Sequence, residues 1–176
     1  MSFDKTLAGH WCGSDRKGIP MTLHPGLASV AGLIGTWRGE GDGEYPTIDS
    51  FRYSEEIAFT DVGKPFLHYL QRTWSPAGAP MHTETGYLRV VDGSTAEFVL
   101  AQPTGQTELA EGALEATAEG FTCFLASRIL NSASAKHVDS TQRRLELAGD
   151  ILTTHFAMAA VGVQMTHHLK SVLRRV

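Results

Sequence analysis

The stretch GTWRGEGDGEYPT, residues 35–47, decides how this chain is read. Odd positions carry Gly35, Trp37, Gly39, Gly41, Gly43, Tyr45 and Thr47, while even positions up to 44 carry Thr36, Arg38, Glu40, Asp42 and Glu44. Successive side chains of a β-strand point to opposite faces, so this is a strand with one charged, wet face. Its other face is a tryptophan followed by bare backbone. Glycine weakens a strand interior and usually marks a tight bend or the close approach of something large. Two readings stay open: room cleared for a bulky flat ligand, or a sharply coiled strand where a barrel closes. A phosphate-cradling loop is excluded, because neither GxxxxGK[ST] nor GxGxxG is present.

Working outward, the same strand-and-turn grammar continues to the C-terminus. Strands are expected at 35–44, 50–59, 66–74, 84–91, 95–102, 107–116, 121–130, 140–148, 151–159 and 165–175. Between them lie DVGKP, SPAGAP, DGS, PTG, EG and AGD, rich in the residues that punctuate hairpins. Ten short strands with tight links make an all-β antiparallel meander, and closing it into an up-and-down barrel removes edge strands and can enclose a ligand. Just before it, HPGLASVAGLIG (24–35) places Leu27, Val30, Leu33 and Ile34 at roughly helical spacing, so a short N-terminal helix is expected. Residues 1–24 show no period and read as an extension, leaving 25–176 as one barrel domain.

The totals agree with one globular domain. The chain has 176 residues, 42% of them apolar and 19% charged. A net charge of −4 argues against non-specific nucleic-acid binding. The longest weakly polar run, LASVAGLIG, falls far short of the ~18 apolar residues a membrane span requires. MSFDKTLAGHWCG lacks the basic start and apolar segment of a secretory signal. Cys12 and Cys123 match no zinc or redox spacing and suggest reduced thiols, hence a cytoplasmic protein.

Near the end, THHLKSV (166–172) sets two histidines side by side. Met165, His167, Leu169, Ser171 and Leu173 share one parity; Thr166, His168, Lys170, Val172 and Arg174 share the other. Simple alternation turns His167 inward. A β-bulge would shift the parity by one residue and turn His168 inward instead.

Several motifs together resemble the nitrobindins, a family of haem-binding β-barrels related in shape to fatty-acid-binding proteins. They are GxWxGxG at Gly35, Trp37, Gly39 and Gly41, YPT at Tyr45–Thr47, VGKPFL (62–67), HTETGYLRV (82–90), PTG (103–105), AKHV (135–138) and MAAVG followed by HHL (158–169). The resemblance spans residues 25–176 and implies one ferric haem b per chain. By resemblance, His168 of the His-Leu pair is the axial iron ligand, with His167 the second choice, and Thr47 and Lys136 are further haem contacts. It also implies an enzyme that isomerises peroxynitrite to nitrate and binds nitric oxide; a homodimer is the candidate assembly. Where the family often has Gln-Pro after AVG, this chain reads Val163-Gln164.

Two other function classes compete with this reading. One is a carrier of fatty acids or other apolar molecules, which usually needs a buried Arg or Tyr to hold a carboxylate; Arg72, Arg89 and Arg128 are the strand-borne arginine candidates. The other is a haem protein that senses nitric oxide without turnover. Phe156 and Met158 alternate with Ala157 and are read as core in preference to a ligand face. His68, His82 and His155 share no metal-ligand spacing. Glu55 and Glu56 are adjacent on a strand and face opposite ways, so they form no carboxylate pair. A GxSxG nucleophile elbow is absent.

Overall fold

A computed structural model describes residues 22–176. Cys12 and most of the expected extension, 1–24, lie outside the described residues. The strands are β1 (Gly35–Tyr45), β2 (Ile48–Lys64), β3 (Phe66–Trp74), β4 (Pro80–Val91), β5 (Thr95–Ala101), β6 (Gln106–Ala116), β7 (Gly120–Asn131), β8 (Val138–Ala148), β9 (Ile151–Ala160) and β10 (Val163–Arg175). Each pairs antiparallel with its sequence neighbours, and β1 pairs with β10, so the meander closes into the expected ten-stranded barrel. Among the described residues no helix is long and apolar enough to cross a membrane.

Strand positions follow the sequence closely, with one difference of length. DVGKP was expected to end the second strand near residue 59, yet β2 continues to Lys64. The β2–β3 register slips between Asp61 and Lys64, where Gly63 takes a φ of 70°. The turn residues therefore form an irregularity inside the hairpin, a use that glycine's freedom at positive φ permits.

The glycine strand behaves as barrel closure. A methyl group on Gly39 would overlap the backbone carbonyl of Val172 on β10. One on Gly41 would collide with the Tyr53 ring, and one on Gly43 with the Phe51 ring. The room is thus taken by the backbone of β10 and by two rings from β2, and is not left for a ligand. Those two rings become wall for the cavity described below.

A 3₁₀ helix, Pro25–Leu33, plugs one end. Proline opens it, and the His24 imidazole accepts the Gly26 N–H at 3.1 Å. Leu27, Val30 and Leu33 recur every third residue, so they fall in one line on a helix of three residues per turn, and all three are buried. Arg175 secures the plug's end by donating to the carbonyls of Ile34 and Gly32 at 2.7 and 2.6 Å. Its guanidinium also lies over the Trp37 ring, 4.2 Å from the centroid, while Trp37 Nε1 donates to Leu33 O at 2.8 Å.

Inside, the inward positions form three tiers. Beside the plug lies an apolar core that includes Trp37, Phe59, Leu67, Phe98, Leu125 and Leu173. Above it comes a belt of buried polar residues, among them Glu55, Gln71, Glu84, Glu108 and Thr141. The far end opens to a mouth. Burial of the lower tier drives the collapse, at roughly 1.5–3 kcal/mol per large side chain.

Candidate functional site

The mouth leads into a cavity of about 580 Å³. Its upper wall is largely apolar and includes Tyr45, Phe51, Ile129, Phe156, Met158 and Leu169. Phe156 and Met158, read from sequence as core, therefore line the cavity. Their strand alternates correctly, but the core stops below them. Thr47 reaches the rim from the Pro46–Thr47 turn and Lys136 from the link between β7 and β8; both are exposed and both line the cavity, as does His168. The three residues named from the resemblance are thus brought to one place.

Which histidine faces inward is decided by irregularities in β10. Against β9, Thr166 pairs with Met158, His167 with Ala157, and Leu169 with Phe156, so His168 is an extra residue with no partner of its own. A second slip lies between Val163 and Thr166. The bulge lets two successive residues, His168 and Leu169, both line the cavity, which simple alternation forbids. His167 is exposed, and its ring lies 6.3 Å from that of His155, which neighbours Glu146 on β8. Alternation from the strand's inner end is overturned by one inserted residue. The hairpin before β10 turns on Val161 and Gly162, with φ of 49° and 83°. Both are left-handed, as a type I′ turn requires, although valine enters that region at a cost.

The His168 ring is held on several sides. Its Nδ1 lies 2.8 Å from the Glu44 carbonyl. A carbonyl only accepts, so Nδ1 carries the hydrogen and Nε2 is left with its lone pair free. Tyr45, Phe51 and Phe156 surround the imidazole with centroids 5.4, 6.2 and 6.2 Å away. Burial lowers the His168 pKa below the usual imidazole value; the Glu44 carbonyl opposes this, and His167 and His82 add to it. The ring is therefore neutral at neutral pH, the form that can donate to a metal.

Beneath it lies a charged network that sequence reasoning missed. Arg143 donates through Nη1 and Nη2 to Glu84 at 2.7 and 2.9 Å, and through Nε and Nη2 to Glu108 at 2.9 and 2.7 Å. Tyr69 donates to Glu84 and Thr141 to Glu108, at 2.8 and 2.6 Å. Burial would raise the Glu84 pKa, but the guanidinium outweighs it and holds the carboxyl well below the usual range. Glu55 accepts from Gln71 at 2.7 Å, has no partner for its second oxygen, and is raised in pKa by burial. The signal was available by parity: in STQRRLELA, Thr141 and Arg143 share a face with Leu145 and Leu147. Arg72, Arg89 and Arg128, by contrast, all point outward; Arg89 pairs with Glu97 and Arg128 with Glu111. His68 also lies outside, against Thr85 and Tyr87, while His82 lines the cavity beside Glu84. Cys123 is a buried thiol in the apolar core, its pKa pushed up to about 12 by burial, and so is inert.

A closed barrel with an apolar upper cavity, a charged belt below and a neutral histidine at its lip defines a ligand-binding β-barrel protein. The chain belongs to the THAP4-like, heme-binding beta-barrel domain family, whose model matches residues 26–175. It is 49% identical over 157 residues to a peroxynitrite isomerase of Nocardia farcinica, a match covering 88% of this chain and 94% of that one. To a peroxynitrite isomerase 2 of Mycobacterium marinum it is 45% identical over 159 residues, covering 89% and 99%. Among solved structures, Rv2717c from M. tuberculosis superposes with a TM-score of 0.86 at 41% identity, covering 88% of this chain and 99% of that one.

Proposed function

We propose that this barrel is a haem-dependent isomerase that converts peroxynitrite to nitrate, with His168 as axial ligand of one ferric haem b per chain. The observation that carries this is the bulge at His168. It turns the imidazole into the cavity, and the Glu44 carbonyl takes Nδ1–H so that Nε2 is the free nitrogen. A second hydrogen bond of this kind fixes ring orientation and tautomer and raises ligand basicity. The relatives named as peroxynitrite isomerases supply the reaction.

When bound, haem would supply an iron centre that takes a small ligand, with His168 as the residue that would hold it. The protein's share is to hold, orient and exclude water. Phe51, Phe156 and Met158 offer an apolar wall to a flat macrocycle. Glu84 and Glu108 around a single Arg143 leave one formal negative charge in excess below, which repels propionates and favours an orientation with both at the mouth. There Lys136 would pair with one of them and Thr47 would add a hydroxyl. Nitric oxide would occupy the same open position as peroxynitrite. The setting would be the cytoplasm, with a homodimer the candidate assembly.

The arginines named for the carrier alternative do not supply its anchor, since all three point outward. Arg143, a buried cation of the cavity, spends four of its five N–H donors on two glutamates whose charge already outweighs its own, which disfavours a fatty-acid carboxylate there. The test is the Soret band of haem added to wild type, His167→Ala and His168→Ala. A histidine-ligated band should survive in His167→Ala and collapse in His168→Ala. The reverse would assign the iron to His167, and no ligated band in wild type would remove haem from the proposal. A nitrate-yield assay with peroxynitrite then separates an isomerase from a nitric-oxide carrier.

A further inference from the structure

We propose that Tyr45 is the positioning residue for His168, and that its hydroxyl braces the end of β9 beside the slips in β10. This rests on His168 being the iron ligand for its functional part, and on the hydrogen bonds alone for its structural part. The Cα register between β1 and β10 ends at Gly43 opposite Leu169, and that between β9 and β10 is broken on both sides of residues 166–167. Backbone groups left unpaired in a half-buried place must find partners elsewhere. Two side chains brace this stretch. On the β1 side the His168 imidazole takes the Glu44 carbonyl. On the β9 side the Tyr45 hydroxyl accepts the Ala160 N–H at 3.1 Å and lies 3.2 and 3.4 Å from the Ala160 and Met158 carbonyls, the two residues that face Val163 and Thr166 and so bound the first slip in β10.

The same tyrosine touches the histidine directly. Its ring meets the imidazole edge-on, 5.4 Å between centroids at 67°. Tyr45 precedes Pro46, which restricts it to extended backbone and so keeps its side chain aimed across the mouth. One buried residue, 5% exposed, thus ties β1 to β9 over the bulge and walls the imidazole. Without the hydroxyl the bulge is free to slide by one residue, which would return His167 to the inward face.

The test is Tyr45→Phe, which keeps the ring. In the haem-free protein, amide exchange at Ala160 should quicken about fivefold or more, in line with loss of a hydrogen bond worth ~1 kcal/mol or above. In the haem-loaded protein, haem should dissociate about tenfold faster and the Soret band should move or broaden. Tyr69→Phe also strips a buried hydroxyl, from the Glu84 cluster, and is the control for general loosening; it should leave Ala160 exchange unchanged. Wild-type exchange at Ala160 in Tyr45→Phe overturns the proposal. So does quickened exchange with wild-type Soret and dissociation rate, which would make Tyr45 a purely structural clip. Should His168→Ala leave the Soret band intact, the ligand reading fails by itself, and Ala160 exchange still judges the clip.

Discussion

Nearly everything specific to His168 comes from what touches it. Burial depresses its pKa, so the folded chain binds that proton less readily than the unfolded chain does. Above the ordinary imidazole value near ~6.5 both states are neutral and the group contributes nothing to pH dependence. As pH falls below that value the unfolded chain takes up the proton first, and stability declines until the folded pKa is passed. Iron at Nε2 would compete with the same proton. Haem should therefore be held at neutral pH and lost only in acid, below the ordinary imidazole value, as followed by the Soret band, and the loss should reverse on return to neutral pH if the fold survives. The same acid profile in His168→Ala as in wild type would mean the ring is not the ligand. Of this residue, the sequence offered its identity through a motif; the tautomer and the aromatic enclosure depend on Glu44, Phe51 and Phe156, which lie on three other strands.

At the level of single strands, alternation was legible almost throughout. Odd positions of β1 are inward and even ones outward, as parity demands. The hydrophobic face of β8 likewise exposes Arg143 as an inward charge once its neighbours are read with it. Gly39 shows what a strand cannot say alone: its bareness is explained by the carbonyl of Val172, a residue more than a hundred positions away. Gly39→Ala should cost at least about 1–3 kcal/mol through overpacking against rigid backbone, with Tm read by circular dichroism. Gly93→Ala is a poor control because of its φ of 79°, whereas Ala126→Gly on the outer face of β7 should change Tm far less. The bulge in β10 is the converse case. Nothing in THHLKSV marks an inserted residue, since the irregularity is set by hydrogen bonds from β1 and β9.

For the molecule as a whole, the charged belt is the costly feature. A guanidinium held between two buried carboxylates is balanced only while all three remain, because unpaired buried charge is strongly unfavourable. Arg143→Leu should therefore destabilise the barrel by about 3–5 kcal/mol in urea unfolding, far beyond the effect of a packing change. Glu84→Gln should cost less, because Arg143 keeps Glu108, and its effect should shrink in acid: the depressed Glu84 pKa contributes stability above the unfolded carboxylate value of ~4.3, and that stability is lost as pH falls below it. Equal losses for both variants at every pH would contradict this account of the belt.

By itself the sequence determined the class, the number and rough limits of the strands, the helical plug, and the motif residues at the mouth. Those are local matters: period, turn chemistry and parity are written within a few residues. Tertiary structure alone decided that the glycine face is filled by neighbours, that the core stops short of Phe156 and Met158, and that His168 turns inward while His167 does not. Each of these depends on which atoms another strand brings within a few ångströms, and a closed barrel fixes that only when β1 meets β10.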